Sequence, residues 1–256
     1  MSERQTPVVL VHGLRASRTM WRAQVEALEA SGRTALAIDL PGHGRRLGER
    51  FTMAGAVEAV RDGVATVGGR AAVVGLSLGG YTAIAHAARF PQQVAGLVAA
   101  GCCTRPHRVV LRAWGAAAAG FARLPDRGAA VNQLLVDRTM PPEAAADVGA
   151  GGFALDVVED TLREMSAADP LADLARVTAP VWLVNGRWDH FRGEEARFLA
   201  ACRDGRLVVV PQATHLVSLV QPVRFTRVLL EALDAVDAAE DARAVSQDPG
   251  GGPADT

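Results

Sequence analysis

Lysine is absent from the 256 residues, and all 27 basic side chains are arginine. Chemistry that needs an ε-amino group is thereby excluded: no Schiff base to a carbonyl substrate or a pyridoxal cofactor, and no Gly-Lys phosphate loop. An excess of one charge is also missing. With 28 acidic residues the formal net charge is −1, so nothing favours nucleic acid or an anionic membrane surface. Cysteine is scarce. Cys102, Cys103 and Cys202 form an odd set without metal-ligand spacing, and two adjacent cysteines are poorly placed to bridge. They read as reduced, buried side chains of a cytoplasmic protein. Residues 1–7 are polar and carry no signal-peptide core. No apolar run reaches the length of a membrane span.

What is present is the material of one globular α/β domain. Hydrophobic residues make up 49% and charged residues 21%, and the length can bury a core without disulfide or metal staples. Short apolar runs predict strands over 7–11, 34–40, 71–74, 94–100, 181–184 and 207–210. Between them, apolar residues at helical spacing predict helices over 19–30, 53–67, 78–90, 194–201 and 223–236. This alternation implies a parallel sheet covered on both faces and joined by right-handed crossovers.

The alternation lapses between 105 and 166. That stretch offers Ala-rich helical patches over 109–124, 129–138, 142–148 and 155–165, broken at Gly149-Ala150-Gly151-Gly152. It is too long for a loop and is read as a helical cap insertion lying over the sheet. Residues 1–104 and 167–237 then form the core. From 238 to 256 almost no bulky apolar residue occurs, so that tail is expected to be disordered.

Chemistry concentrates at Gly75-Leu76-Ser77-Leu78-Gly79, between a predicted strand and a predicted helix. G-x-S-x-G in that position is the pattern of a nucleophile elbow, a turn so tight that its flanking positions must lack a Cβ. The competing reading is a Gly-rich turn with a helix-capping serine. A serine hydroxyl is a weak nucleophile at neutral pH and needs a histidine base oriented by a carboxylate. Those partners must lie at the carboxyl ends of later strands, on the edge that holds the elbow. Asp189 follows the 181–184 strand and His215 follows the 207–210 strand, in the chain order Ser, Asp, His. His190 rivals His215 as the base, and Asp169 and Asp173 rival Asp189, although both suit helix capping or solvation better. His12 is read as structural, Asp39 and His43 as shaping their loop, and His86 as packed on its helix.

With these residues in place, the chain resembles the α/β-hydrolase fold family from residue 8 to about 236. His12-Gly13-Leu14 is similar to that family's oxyanion loop, and Asp39-Leu40-Pro41-Gly42-His43-Gly44 to its loop after the next strand. The resemblance implies a Ser77 nucleophile, a His215 base, an Asp189 orienter, and an oxyanion hole formed by the backbone N–H groups of Leu14 and Leu78. Many members have two strands before the oxyanion loop. Only seven residues precede Val8 here, so a compact form with about six strands is expected. Compact members include esterases and plant-type hydroxynitrile lyases. The lyases use an active-site lysine, which this chain lacks. Epoxide hydrolases and haloalkane dehalogenases carry Asp where Ser77 stands.

The expectation is a serine hydrolase of small carboxylic esters, acting on a small-molecule substrate without metal or organic cofactor. Thioester, lactone or carbon–carbon bond hydrolysis and perhydrolysis remain open on the same residues, as does a non-enzymatic ligand-binding relative. Trp114, Phe121 and Met140 either line a pocket or pack the insertion. Trp188 and Leu216 flank the candidate catalytic residues and are read as pocket lining. The sequence leaves the oligomeric state open.

Overall fold

The computed structural model describes residues 5–107, 111, 114–116, 120 and 123–247. Its centre is a six-stranded sheet in the order β2-β1-β3-β4-β5-β6. The strands are β1 (Val8–Val11), β2 (Ala35–Ile38), β3 (Ala71–Leu76), β4 (Val94–Ala100), β5 (Val181–Gly186) and β6 (Gly205–Val210), and every neighbouring pair is parallel. The six strands and the compact architecture agree with expectation.

Side-chain alternation explains why both faces are apolar. Val9, Val11, Val73, Leu97, Val181 and Leu183 belong to one buried cluster, together with residues of the helices that cover that face. Those helices are α2 (Met53–Thr66), α3 (Leu78–Arg89) and, further on, α8 (Glu195–Ala201). Val8, Leu10, Val74, Val98 and Val184 face the other way, against α1 (Arg22–Ala30), the short α9 (Val217–Val220) and the long C-terminal helix α10 (Pro222–Gln247). Trp21 and Phe225 are fully buried there, with ring centroids 5.9 Å apart. A buried aromatic or leucine of this kind contributes about 1.5–3 kcal/mol. β2 and β6 are the sheet edges, and their side chains are mostly half-buried.

Between β4 and β5 the described residues contain no strand. They form α4 (Ala129–Thr139), α5 (Pro142–Ala150), α6 (Val158–Met165) and α7 (Pro170–Leu174). This segment is tied to the rest by polar contacts. Arg22 pairs with Asp147, Thr19 Oγ1 donates to the Asp147 carbonyl at 2.6 Å, and the Met53 N–H donates to Glu164 at 3.0 Å. Most of the patch expected over 109–124, including Phe121, lies outside the described residues.

Several boundaries shift from expectation: β2 is shorter (Ala35–Ile38), β5 runs on to Gly186 and β6 starts at Gly205; two further shifts have a visible cause. β3 does not stop at Gly75 but runs through Leu76, because Gly75 and Leu76 stay in register with Ala99 and Ala100 of β4. The tail expected to be disordered from 238 is helical through Gln247. Its lack of bulky side chains is offset by polar ties. Asp237 accepts from the Thr6 N–H and pairs with buried Arg33, and Glu240 pairs with Arg70 through two hydrogen bonds of 2.6 and 2.8 Å.

Candidate active site

β3 delivers Ser77 to the carboxyl edge of the sheet, where the chain turns directly into α3. Ser77 has φ 55° and ψ −117°, a conformation that side chains rarely adopt. The flanking glycines show what the turn requires. A Cβ on Gly75 would lie 2.1 Å from the Gly79 carbonyl oxygen, so the turn would strike itself. A Cβ on Gly79 would lie 2.1 Å from the carbonyl oxygen of Val11, so α3 could not sit so close to β1. The turn is anchored by the Ser77 N–H, which donates to the Ala100 carbonyl at 2.8 Å.

β5 and β6 bring the other two residues alongside. His215 Nε2 lies 3.0 Å from Ser77 Oγ, and His215 Nδ1 lies 3.0 Å from Asp189 Oδ1. The carboxylate fixes the tautomer: Nδ1–H donates to Asp189, which leaves Nε2 to accept from the serine hydroxyl. The Asp189 side chain is 0% exposed. Burial alone would push its carboxyl up, but the hydrogen bonds from His215 and from the Phe191 N–H, 2.7 Å away, hold it below the usual range. Asp189 is therefore ionised at neutral pH.

The rival residues sit elsewhere. His190 Nδ1 is 3.9 Å from Asp189 Oδ1, beyond hydrogen-bond reach, and its ring packs beside His215 with centroids 5.0 Å apart. Asp169 caps α7 through the Ala172 N–H, and Asp173 pairs with Arg176 one turn along.

The loop after β1 approaches Ser77 from the other side. His12 is fully buried; its Nε2 accepts from the Leu40 N–H at 3.0 Å while Nδ1–H donates to the Gly13 carbonyl at 2.8 Å. Burial, helped by neighbouring His43, lowers its pKa to about 3, so it is neutral in both roles. The Gly13 carbonyl also accepts from the Ala16 N–H. With that oxygen fixed, the trans peptide turns the Leu14 N–H to the opposite side. Leu78 is the first residue of α3, so its N–H has no partner within the helix. Asp39 accepts from the backbone N–H groups of Arg18 and Arg45 and pairs with the Arg18 side chain, joining the two loops. His43 Nδ1 lies 3.0 Å from the Pro41 carbonyl, within the same loop. His86 is buried against Phe90, with Nε2 3.0 Å from Gln93 Oε1.

Ser77 and His215 open onto a cavity of about 510 Å3, which is mostly apolar and walled by Met20, Val136, Met140, Val148, Leu162 and Leu219 among others. That volume suits a small organic ligand. Gly13, Leu14, Trp114 and Leu216 also line it, so Trp114, Met140 and Leu216 are among its lining residues. Trp188 does not. It is 71% exposed, with Arg187 over its ring at 5.9 Å. The tight turn that buries Asp189 leaves its neighbour outside, and Phe191 packs on His215 instead, with centroids 4.8 Å apart. Sequence reasoning missed His190, Arg15 and Asn132 as cavity residues. Arg15 and His190 stand in turns, and no local pattern in the sequence says which way a turn side chain faces.

A model of the alpha/beta hydrolase family matches residues 8–228. Pimeloyl-(acyl-carrier protein) methyl ester esterase of Edwardsiella ictaluri is 28% identical over 251 residues, covering 89% of this chain and 93% of that protein. Abhydrolase domain-containing protein abhd-5.2 of Caenorhabditis elegans is 33% identical over 103 residues, which cover 37% of this chain and 22% of that protein. Among solved structures, a thermophilic esterase from Thermogutta terrifontis superposes with a TM-score of 0.74 at 24% identity, over 91% of this chain and 90% of that one. A carboxylesterase structure from Nitrososphaera gargenis gives 0.77 at 18% identity, over 93% of each chain. These two likenesses are likenesses of fold.

Proposed function

This chain belongs to the alpha/beta hydrolase family and is a hydrolase by that membership, and from that premise we propose that it cleaves small carboxylic esters through an acyl-enzyme on Ser77. The observation that carries the reading is the unbroken series Ser77–His215–Asp189, with both links at 3.0 Å, at the wall of an apolar cavity of about 510 Å3. A relative that matches along nearly its whole length is by its name a methyl ester esterase.

In this mechanism Ser77 Oγ attacks the ester carbonyl as its proton passes to His215 Nε2. The imidazolium is stabilised by buried, ionised Asp189. Negative charge on the former carbonyl oxygen is taken by the N–H groups of Leu14 and Leu78, each worth ~3–4 kcal/mol of barrier in such a role. Collapse of the tetrahedral species expels the alcohol, which receives the proton from His215. A water molecule then loses its proton to His215 and attacks the acyl-enzyme, and the carboxylic acid leaves with Ser77 restored. The helices α4, α5 and α6, whose Val136, Val148 and Leu162 wall the cavity, act as the cap over the acyl pocket.

The test is turnover of short-chain methyl and nitrophenyl esters by the wild type, Ser77→Ala and His215→Ala. The two variants should lose nearly all activity and to a similar extent, because residues that act as a unit do not lose rate additively. An active Ser77→Ala variant would remove the nucleophile from the mechanism.

A further inference from the structure

Several arginines that reach into the folded core or tie its segments together are matched by a carboxylate. Arg18 pairs with Asp39, Arg22 with Asp147, Arg33 with Asp234 and Asp237, Arg70 with Glu240 and Arg105 with Glu194. Arg15 departs from this. It follows the Leu14 amide and lines the same cavity as Ser77. Among the described residues the only partner of its guanidinium is the side-chain oxygen of Asn132, a neutral, buried residue of α4. Its Nε is buried with no acceptor, and burial lowers its pKa. The backbone at Arg15 is also strained, with φ at 69°. Asp156 lines the cavity too but is itself engaged in a contact.

A half-buried guanidinium with no carboxylate partner, at the wall of a mostly apolar cavity and on a strained backbone, is unfavourable without a counter-charge. Such a group is retained when a ligand supplies what the protein does not. A planar carboxylate is the group that a guanidinium fork fits best. Resting on the reading of Ser77 as an ester-cleaving nucleophile, we propose that the substrate is an ester that also carries a carboxylate, held by Arg15 while Ser77 attacks the ester carbonyl. The apolar walls contributed by Val136, Met140 and Leu162 then accommodate the methylene chain between the two ends. Cleavage of such a half-ester releases an alcohol and a dicarboxylic acid.

The test compares monomethyl adipate with methyl hexanoate, two methyl esters of matched chain length that differ in the terminal carboxylate. The wild type should show the higher kcat/KM on monomethyl adipate. In Arg15→Gln the ratio of the two kcat/KM values should fall by about ten-fold or more, chiefly through KM for the charged ester, as expected for loss of a charge-assisted hydrogen bond. A residue that merely clasped α4 would lower both rates together and leave the ratio intact, and that result would overturn the proposal while leaving the Ser77 reading standing. If Arg15→Gln does not fold, inhibition of wild-type methyl hexanoate hydrolysis by adipate but not by adipamide supports the proposal. Equal inhibition by both, or by neither, overturns it. If neither ester is cleaved and a fluorophosphonate does not label Ser77, the ester-hydrolase reading fails on its own. Calorimetry with adipate then decides the anion site: binding to the wild type that Arg15→Gln loses supports it, and absence of binding overturns it.

Discussion

Replacing Ser77 by glycine and by alanine separates the strain of the elbow from its chemistry. Both variants lack the hydroxyl, so neither should hydrolyse esters. They differ only in the Cβ that Ser77 holds at φ 55° and ψ −117°. A non-glycine residue in so sparse a region costs ~1–3 kcal/mol, and glycine recovers that strain. Glycine in turn gives back ~0.5–1 kcal/mol through the greater freedom of the unfolded chain. The balance favours Ser77→Gly over Ser77→Ala by about 1 kcal/mol, or roughly 2–4 °C in Tm for a domain of this size. Calorimetric melting or urea denaturation of the pair gives the difference directly. If Ser77→Gly proves equal to or less stable than Ser77→Ala, the backbone at Ser77 stores no strain and that part of the reasoning is refuted.

The other expectations follow from the same contacts. Gly79→Ala places a methyl 2.1 Å from the Val11 carbonyl oxygen; it should cost more than the ~0.5–3 kcal/mol of an ordinary substitution, which denaturant midpoints or failure to accumulate soluble protein would register. Stability should fall as pH drops from about 6.5. His12, lowered to about 3 by burial, stays neutral in the folded protein while the unfolded chain takes up the proton, so its contribution is complete above the unfolded value of ~6.5 and is lost as pH falls toward 3, at up to ~1.4 kcal/mol per pH unit. Urea titrations at pH 7, 6 and 5 should show that decline, and a flat profile would contradict it. Glu240→Gln breaks the half-exposed pair with Arg70 and should cost under ~1 kcal/mol, so the Tm should drop only slightly; a large loss would mean that the end of α10 carries more of the fold than its contacts indicate.

The sheet and the candidate triad were legible in the sequence for a physical reason. A strand buried on both faces must be a short apolar run, and an elbow serine must be framed by glycines, so both requirements leave local marks. Asp189 and His215 could be chosen because each follows such a run. The end of α10 was less visible, since Glu240 finds Arg70 across 170 positions of sequence. Trp188 illustrates another limit: adjacency to Asp189 in sequence does not decide which side of the turn a ring takes, and it lies outside the cavity. The cavity wall was the least legible part. Trp114 and Met140 read equally well as core or as lining, and Arg15 reads as one arginine among 27 until its guanidinium is seen to be held, among the described residues, by neutral Asn132.

The most direct measurement of the central claim is covalent labelling by a fluorophosphonate, followed by mapping of the modified peptide. A single adduct on Ser77 is expected in the wild type, formed far more slowly in His215→Ala because the hydroxyl has lost its base. An adduct elsewhere, no adduct, or equally fast labelling without His215 would contradict the claim.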